Sequence, residues 1–222
     1  IRKNVLQYDD VMNTQREIIY KQRRQVLNGE NLKDSIYTMM NNVATQTVNA
    51  YVAEDGINKE ALTQEINTIF GIESIDALNS GRLDSNKIVS EIIEKAHKMY
   101  DEKEKNFGEK VLRELERVVM LKIVDERWMD HIDSMDELKD GIGLRAYGQK
   151  DPVVQYRIEG FDMFDQMVAD IQLNVVKILM HAQNRQGGVP IRQATVKVTG
   201  EGLENSNLSL KQNTPNQEKT HT

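Results

Sequence analysis

The stretch WMDHIDSMDELKDGIGLRAYGQKDPVVQYRIEGFDMF, residues 128–164, decides the fold. Apolar side chains recur at helical spacing on both sides of a central segment rich in glycine and polar residues. In that segment Asp151 is a suitable N-cap, and Pro152 fits the first helical position, where its missing N–H costs nothing. Neither flanking helix can bury its apolar stripe alone. The stretch therefore predicts a long antiparallel hairpin of two helices.

Both helices of this hairpin are expected to extend beyond the quoted stretch. Gly108 is a predicted joint before the first helix, Asp140-Gly141-Ile142-Gly143 predicts its end, and the second helix is expected to reach about residue 184. For Trp128 two interpretations stay open: a core residue whose truncation would cost about 3–5 kcal/mol, or a docking anchor for a partner. The predicted hairpin core consists of Trp128, Ile132, Met135 and Phe164.

The turn of the hairpin, GLRAYGQKDP at 143–152, contains more than a turn requires. Glycine and polar residues suffice to reverse the chain, whereas Leu144 and Tyr147 gain little from their own fold at a tip. An exposed tyrosine flanked by Arg and Lys is typical of a contact surface. A plain turn and a contact tip therefore both stay open. The candidate contact residues are Leu144, Arg145, Tyr147, Gln149 and Lys150.

An N-terminal helix is predicted over about 4–27, before the helix-stop pair Asn28-Gly29. One face is apolar, with Gln15 and Gln22 filling gaps in the stripe. The chain begins at Ile1 without an initiator methionine, so we expect it to be a piece of a longer protein. A stripe with polar gaps beside a cut end is expected to have lost the domain that covers it. Its members are Val5, Tyr8, Met12, Ile19 and Val26.

Shorter stripes and breaks between these helices predict a small helical lobe. Residues 186–222 contain too little apolar surface to offset the entropy of ordering, so this tail is predicted to be disordered. Only three prolines and 5% aromatic residues favour long helices over a β-sandwich or barrel. The predicted fold class is all-α: a long helix, a small helical lobe, a long antiparallel two-helix hairpin and a disordered C-terminal tail.

The composition of the 222 residues excludes several functional classes. Lys and Arg total 29 against 35 Asp and Glu, and the resulting net charge of −6 argues against a nucleic-acid binder. No apolar run approaches the roughly 20 residues that span a bilayer, and no signal peptide is visible. The absence of Cys excludes disulfides, a thiol nucleophile and Cys-ligated zinc, and it fits a cytosolic protein.

No catalytic or metal-binding constellation is evident in the sequence. The phosphate loop G-x-x-x-x-G-K-[ST], the HExxH pair and the EF-hand pattern are all absent. Asp133, Asp136 and Asp140 share a helix face but lack the loop glycine and the alternating oxygen ligands of a calcium site. His131 has no nucleophile beside it, which favours a structural role. We therefore expect no catalytic residue, no metal and no cofactor in this chain.

Two stretches resemble the SecA family of bacterial preprotein translocase ATPases. RKNVLQYDDVMNTQREIIYKQR, residues 2–23, is similar to the long helix of the family's helical scaffold, and residues 128–164 are similar to its two-helix finger. The resemblance implies four parts: a scaffold helix at 1–30, a helical wing at 31–108, the finger at 109–185, and a disordered tail without a zinc module at 186–222.

The resemblance also implies a role for each part. In the family the scaffold helix packs along the motor domains, so the stripe of the N-terminal helix would be a motor contact. The finger would restrain ATP hydrolysis, and its tip would contact the SecY channel and the translocating polypeptide. Tyr147 matches the tip tyrosine, although the usual LRGYAQKDP reads LRAYGQKDP here.

Partners and location follow from the same resemblance. The implied partners are the motor domains in cis, the SecY channel, unfolded preproteins and, through the parent protein, an anionic membrane surface; a homodimer is compatible with it. The implied location is cytoplasmic and peripheral on the cytoplasmic face of the bacterial plasma membrane. ATP and magnesium would belong to the motor domains of the parent, and a chain without Cys is expected to hold no zinc. The alternative is a stand-alone helical adaptor with no catalytic role.

Overall fold

The structure is a computed structural model that describes residues 2–29, 32–53, 56–79, 83–145 and 151–183, without the side chains of residues 2–6, 53 and 143–145. In these ranges the chain forms six α-helices, two short strands and one 3₁₀ turn. Their bounds are α1 Arg2–Asn28, α2 Leu32–Ala50, β1 Val52–Ala53, β2 Gly56–Ile57, α3 Lys59–Phe70, the 3₁₀ turn Asp76–Leu78, α4 Ser85–Phe107, α5 Glu109–Arg145 and α6 Pro152–His181.

The all-α prediction is confirmed for the described residues. Their only strands are the two-residue β1 and β2, which pair antiparallel with Val52 opposite Ile57. None of the helices described is both long enough and apolar enough to cross a bilayer. The predicted tail, 186–222, lies outside the described residues.

The predicted end of the first hairpin helix at 140–143 is wrong, because α5 continues through both glycines to Arg145. The buried side chain of Ile142 explains the difference. It belongs to a small apolar cluster with Met135, Leu138 and Tyr156, and this packing holds the last turns of α5 against α6. Tertiary contacts thus outweigh the helix-breaking tendency of the glycines, which costs only about 1 kcal/mol each.

Helices α2, α3 and α4 form a lobe, in which local sequence signals begin and end α3. The Asn58 side chain accepts a hydrogen bond from the N–H of Ala61 at the start of α3, and Gly71 ends that helix in the left-handed conformation with φ 73°. The buried faces of these helices share one continuous core with α5 and α6. Its lobe members include Ile36, Met40, Leu62, Ile66, Ile88 and Ile92.

The C-terminal end of α6 is fixed against this lobe. Lys103 of α4 donates through Nζ to the carbonyl oxygens of Met180 at 2.9 Å and Ala182 at 2.5 Å. A lysine at this position satisfies carbonyls that the helix leaves unpaired and complements the helix dipole. His181 Nε2 lies 3.0 Å from the carbonyl oxygen of Thr68 on α3. The hairpin therefore has one end anchored on the lobe.

A buried polar cluster closes the joint between α4 and α5, where Gly108 alone separates the helices with φ 79°. The fully buried carboxylate of Glu116 accepts from the Tyr100 hydroxyl and pairs with Arg113 at 3.1 Å. Arg113 also reaches Glu104 at 2.7 Å, which in turn accepts from Lys33 of α2 at 2.6 Å. Burial raises the pKa of Glu116. Since buried ion pairs add little net stability, the cluster chiefly specifies how these helices meet.

Candidate interaction surface on the three-helix arm

Helices α1, α5 and α6 pack together, and we call them the three-helix arm. Met135 of α5 lies against Gly160 of α6. One turn earlier on α5, His131 packs edge-on against Phe164, with ring centroids 5.7 Å apart. Because the α5 number falls while the α6 number rises, the two helices run antiparallel, as the hairpin prediction requires.

The structure places the predicted hairpin-core residues at this seam. Trp128, Met135 and Phe164 are buried, and Ile132 is half-buried and packed against the core. The Trp128 ring lies 5.6 Å from that of His131. Because its side chain is buried, Trp128 fits the interpretation as a core residue better than that as a docking anchor for a partner.

Gln15 of α1 bridges both helices of the hairpin. Its Nε2 donates to the carbonyl oxygen of Gly160 on α6 at 2.9 Å, and its Oε1 lies 2.8 Å from Nε2 of His131 on α5. Both Gln15 and His131 are buried. Leaving a buried polar group without its partner costs about 1–3 kcal/mol. In the sequence Gln15 only fills a gap in an apolar stripe, whereas in the structure its side chain contacts both helices of the hairpin.

Gly160 lies in close contact with the Met135 side chain of α5. A Cβ at this position would lie 2.7 Å from Met135 Cε and 3.9 Å from Val11 Cγ1. A Cβ at this position therefore requires the flexible end of Met135 to move, whereas it meets Val11 of α1 at ordinary van der Waals distance. At Gly141 of α5 a Cβ would meet none of the described atoms within 4 Å.

Contacts on either side of Gln15 fix the direction of α1. Near its N-terminus, the Tyr8 and Tyr156 rings meet edge to face with centroids 4.8 Å apart, and Asp9 pairs with Lys139 at 3.3 Å. Near its C-terminus, Arg23 forms a two-point pair with Asp125 at 2.9 and 3.2 Å. Helix α1 therefore runs antiparallel to α5 and parallel to α6.

The expectation that a missing domain covers the α1 stripe does not hold for Ile19 and Val26. These side chains are only 1% and 6% exposed, because the other helices of this chain already cover them. Tyr8 and Met12 are half-buried and pack against the Met135 cluster. The side chain of Val5 lies outside the described residues. The stripe thus marks the inner face of α1 within the arm.

A different set of apolar side chains remains exposed around a groove between α1 and α5. Tyr20, Leu27 and Met129 are 54%, 47% and 60% exposed, and they surround a groove floored by Ile19 and Trp128. We call Tyr20, Leu27 and Met129 the groove patch. The groove has a volume of about 450 Å³ and is also lined by Arg23, Arg24 and Asp125. Met129 directly follows the buried Trp128 in sequence, but its own side chain points outward.

A second exposed apolar row follows α6. Val154, Ile158 and Phe161 are all more than half exposed and lie at spacings of four and three residues, on one helix face. The buried stripes that helical spacing predicts do not include either surface. For each surface, the sequence signal is a second apolar stripe on the same helix, offset from the buried stripe.

The predicted contact tip lies largely outside the described residues. Leu144 and Arg145 end the backbone of α5 without described side chains, and Tyr147, Gln149 and Lys150 are not described. The tip therefore stays a prediction. Directly after it, the Asp151 side chain accepts from the N–H of Val153 at 2.9 Å, and Pro152 begins α6. This confirms the predicted start of the second hairpin helix.

The sequence of this chain is similar to those of known protein translocase subunits. The family described as SecA Wing and Scaffold domain matches residues 1–183. The chain is 47% identical to the protein translocase subunit SecA of Acetivibrio thermocellus over 205 residues, which cover 87% of this chain and 22% of that protein. It is 44% identical to the SecA subunit of Clostridium acetobutylicum over 209 residues, 90% of this chain and 24% of that protein. The chain thus spans about a quarter of these relatives.

The buried His131 predicts acid sensitivity. Burial lowers the pKa of His131 below its ordinary value of about 6.5. The unfolded chain therefore takes up this proton at higher pH than the folded chain, so stability is lost as pH falls below about 6.5. Between about pH 7.5 and 5.5, we expect the Tm of the unaltered chain to fall by a few degrees more than that of His131→Gln.

His181→Gln is the matched control, because that ring is exposed. Its Tm is expected to fall as steeply as that of the unaltered chain. A His131→Gln variant with the same steep fall would contradict the prediction.

Proposed function

The chain belongs to the SecA wing and scaffold family, and we propose that it acts as this region of an ATP-driven preprotein translocase. The observation that carries the proposal is the family match over residues 1–183, together with 44–47% identity to relatives named protein translocase subunit SecA. The chain itself contains no phosphate-binding loop. ATP and magnesium would therefore bind in motor domains elsewhere in the parent protein.

The groove patch is the surface that we assign to these motor domains, in place of the buried stripe of α1. Tyr, Met and Arg are enriched in protein interfaces, and Tyr20, Met129 and Arg24 surround this groove. Its floor includes Trp128 of the hairpin core. A domain docked here would contact α1 and α5 at once, which gives the arm a direct route by which to restrain ATP hydrolysis.

This assignment predicts an effect in trans. A purified motor fragment of the parent is expected to hydrolyse ATP more slowly when this chain is added. The double variant Tyr20→Ser, Met129→Ser should need about tenfold more chain for the same effect, because it removes apolar surface that docking would bury.

The control is Val118→Ser, Ile178→Ser, which alters two exposed apolar residues outside the groove. It is expected to slow the motor as the unaltered chain does. Equal effects of the two double variants, or no effect of the unaltered chain, would argue against docking at the groove patch.

The hairpin tip is the part that we assign to the SecY channel and to the translocating polypeptide. The α6 helix, 30 residues long, extends over roughly 45 Å at ~1.5 Å per residue. Packing against α5 and α1 stiffens it up to Tyr156. Tyr147 would offer an amphipathic ring that can contact many unrelated sequences, helped by Leu144, Arg145, Gln149 and Lys150.

The tip and the hairpin core should be separable by mutation in the full-length parent. Tyr147→Ala is expected to impair preprotein transport into membrane vesicles while leaving the Tm and the ATPase rate without vesicles nearly unchanged. Trp128→Ala should lower stability by about 3–5 kcal/mol, because it opens the packed seam. Normal transport by Tyr147→Ala would mean that the tip is a plain turn.

The remaining partners form part of the same proposal. They are the motor domains in cis, the SecY channel, unfolded preproteins and an anionic membrane surface reached through the parent, with no nucleic acid. The region would work in the cytoplasm and at the cytoplasmic face of the plasma membrane, without zinc. A stand-alone adaptor is the alternative, and it predicts that the chain has no effect on the motor fragment.

A further inference from the structure

A cavity of about 290 Å³ lies where α1 and α2 meet α5 and α6. The cavity opens to solvent, and its volume is close to the lower end of the roughly 300–1,000 Å³ that is typical of small-molecule sites. Its deep wall is entirely aliphatic or thioether and comes from all four helices. The buried wall residues are Val26, Leu32, Met120, Val124, Ile171 and Val175.

The mouth of this cavity is polar but uncharged. Gln22, Gln25, Ser35 and Gln172 line it, and none of the described residues around the cavity carries a charge. Asn42 donates to Oε1 of Gln172 at 3.2 Å, which orients that amide at the mouth. An ionised ligand would lose its hydration here without gaining a partner. Water also fits poorly, since it needs two to four polar partners that the deep wall lacks.

Volume and flexibility narrow the class of ligand further. A cavity of about 150 Å³ with apolar walls holds one benzene ring, so 290 Å³ has room for two fused rings. Met39 and Met120 line the space, and methionine side chains adapt their shape to what they pack against. We propose that this cavity binds an uncharged two-ring aromatic molecule, with the rings against the aliphatic wall and a single hydrogen-bonding group at the mouth.

Such a molecule would contact the arm and the lobe at once. Val26 belongs to α1, Leu32 to α2, Val124 to α5 and Ile171 to α6. A ligand that fills the space only in the folded chain stabilises that chain in proportion to the logarithm of its concentration. A small molecule bound at this site would therefore stabilise the packing of α2 against the arm, with no motor domain required.

Indole is the probe for the test, used with the full 222-residue chain. Methyl NMR of the methionines and isoleucines should show saturable shifts at Met120 and Ile171 with Kd of about 1 mM or below. The methyl group of Met129, exposed on the same α5 helix, should not move. At ten times Kd the Tm should rise by about 3–6 °C. Indole-3-acetate, which adds a carboxylate, should bind at least tenfold more weakly.

A filling variant and its control locate the binding. Val168→Phe places a ring inside the cavity and should weaken indole binding at least tenfold. Val154→Phe makes the same change at an exposed site on the same α6 helix and should leave binding intact. If Val168→Phe fails to fold, the methyl titration of the unaltered chain decides alone.

Three results would overturn the proposal. One is the absence of saturable shifts at Met120 and Ile171 up to about 5 mM indole, several times the expected Kd. Another is equal binding of indole and indole-3-acetate. The third is loss of indole binding in the longer parent protein, which would mean that a segment of the parent occupies the cavity instead.

Discussion

The amide of Gln15 holds three helices in register. It hydrogen-bonds to His131 of α5 and to the backbone of α6 at Gly160, and both bonds are buried. In an apolar seam a polar group must find its partner or cost about 1–3 kcal/mol, whereas apolar contacts tolerate sliding. The bridge therefore selects one position of α1 along the hairpin. Gly160 lies at this contact, and a large side chain there would have to displace the end of Met135.

The position of α1 against the hairpin determines which of its side chains remain exposed. With Ile19 and Val26 turned into the arm, the same helix presents Tyr20 and Leu27 outward beside Met129. The arm thus packs one face of α1 against the hairpin and leaves apolar side chains exposed on another face. Lys103 anchors the C-terminal end of α6 on the lobe. The hairpin is therefore fixed at the lobe and also packed against α1.

Helical periodicity and caps were enough to predict the hairpin, because Asp151 and Pro152 act locally and an apolar stripe must be buried somewhere. The partner of each stripe could not be predicted in the same way. The α1 stripe has the same pattern whether α5 and α6 or a separate domain covers it. The continuation of α5 past Gly141 depends on Ile142 meeting Tyr156, a contact far apart in sequence. The role of Gln15 needed the positions of His131 and Gly160, which no local pattern supplies.

Amide hydrogen exchange along α1 tests most directly whether the contacts at Gly160 and Gln15 hold this helix against α5 and α6. The comparison is between Gly160→Leu and Gly141→Leu, two identical changes at helical glycines. At Gly160 a Cβ would lie 2.7 Å from Met135 Cε, and at Gly141 it would meet none of the described atoms within 4 Å. If the packing around Gly160 holds α1 in place, the amides of α1 from Gln15 to Val26 lose protection at least tenfold in Gly160→Leu and keep it in Gly141→Leu. Equal protection of α1 in both variants would contradict the central role of this contact.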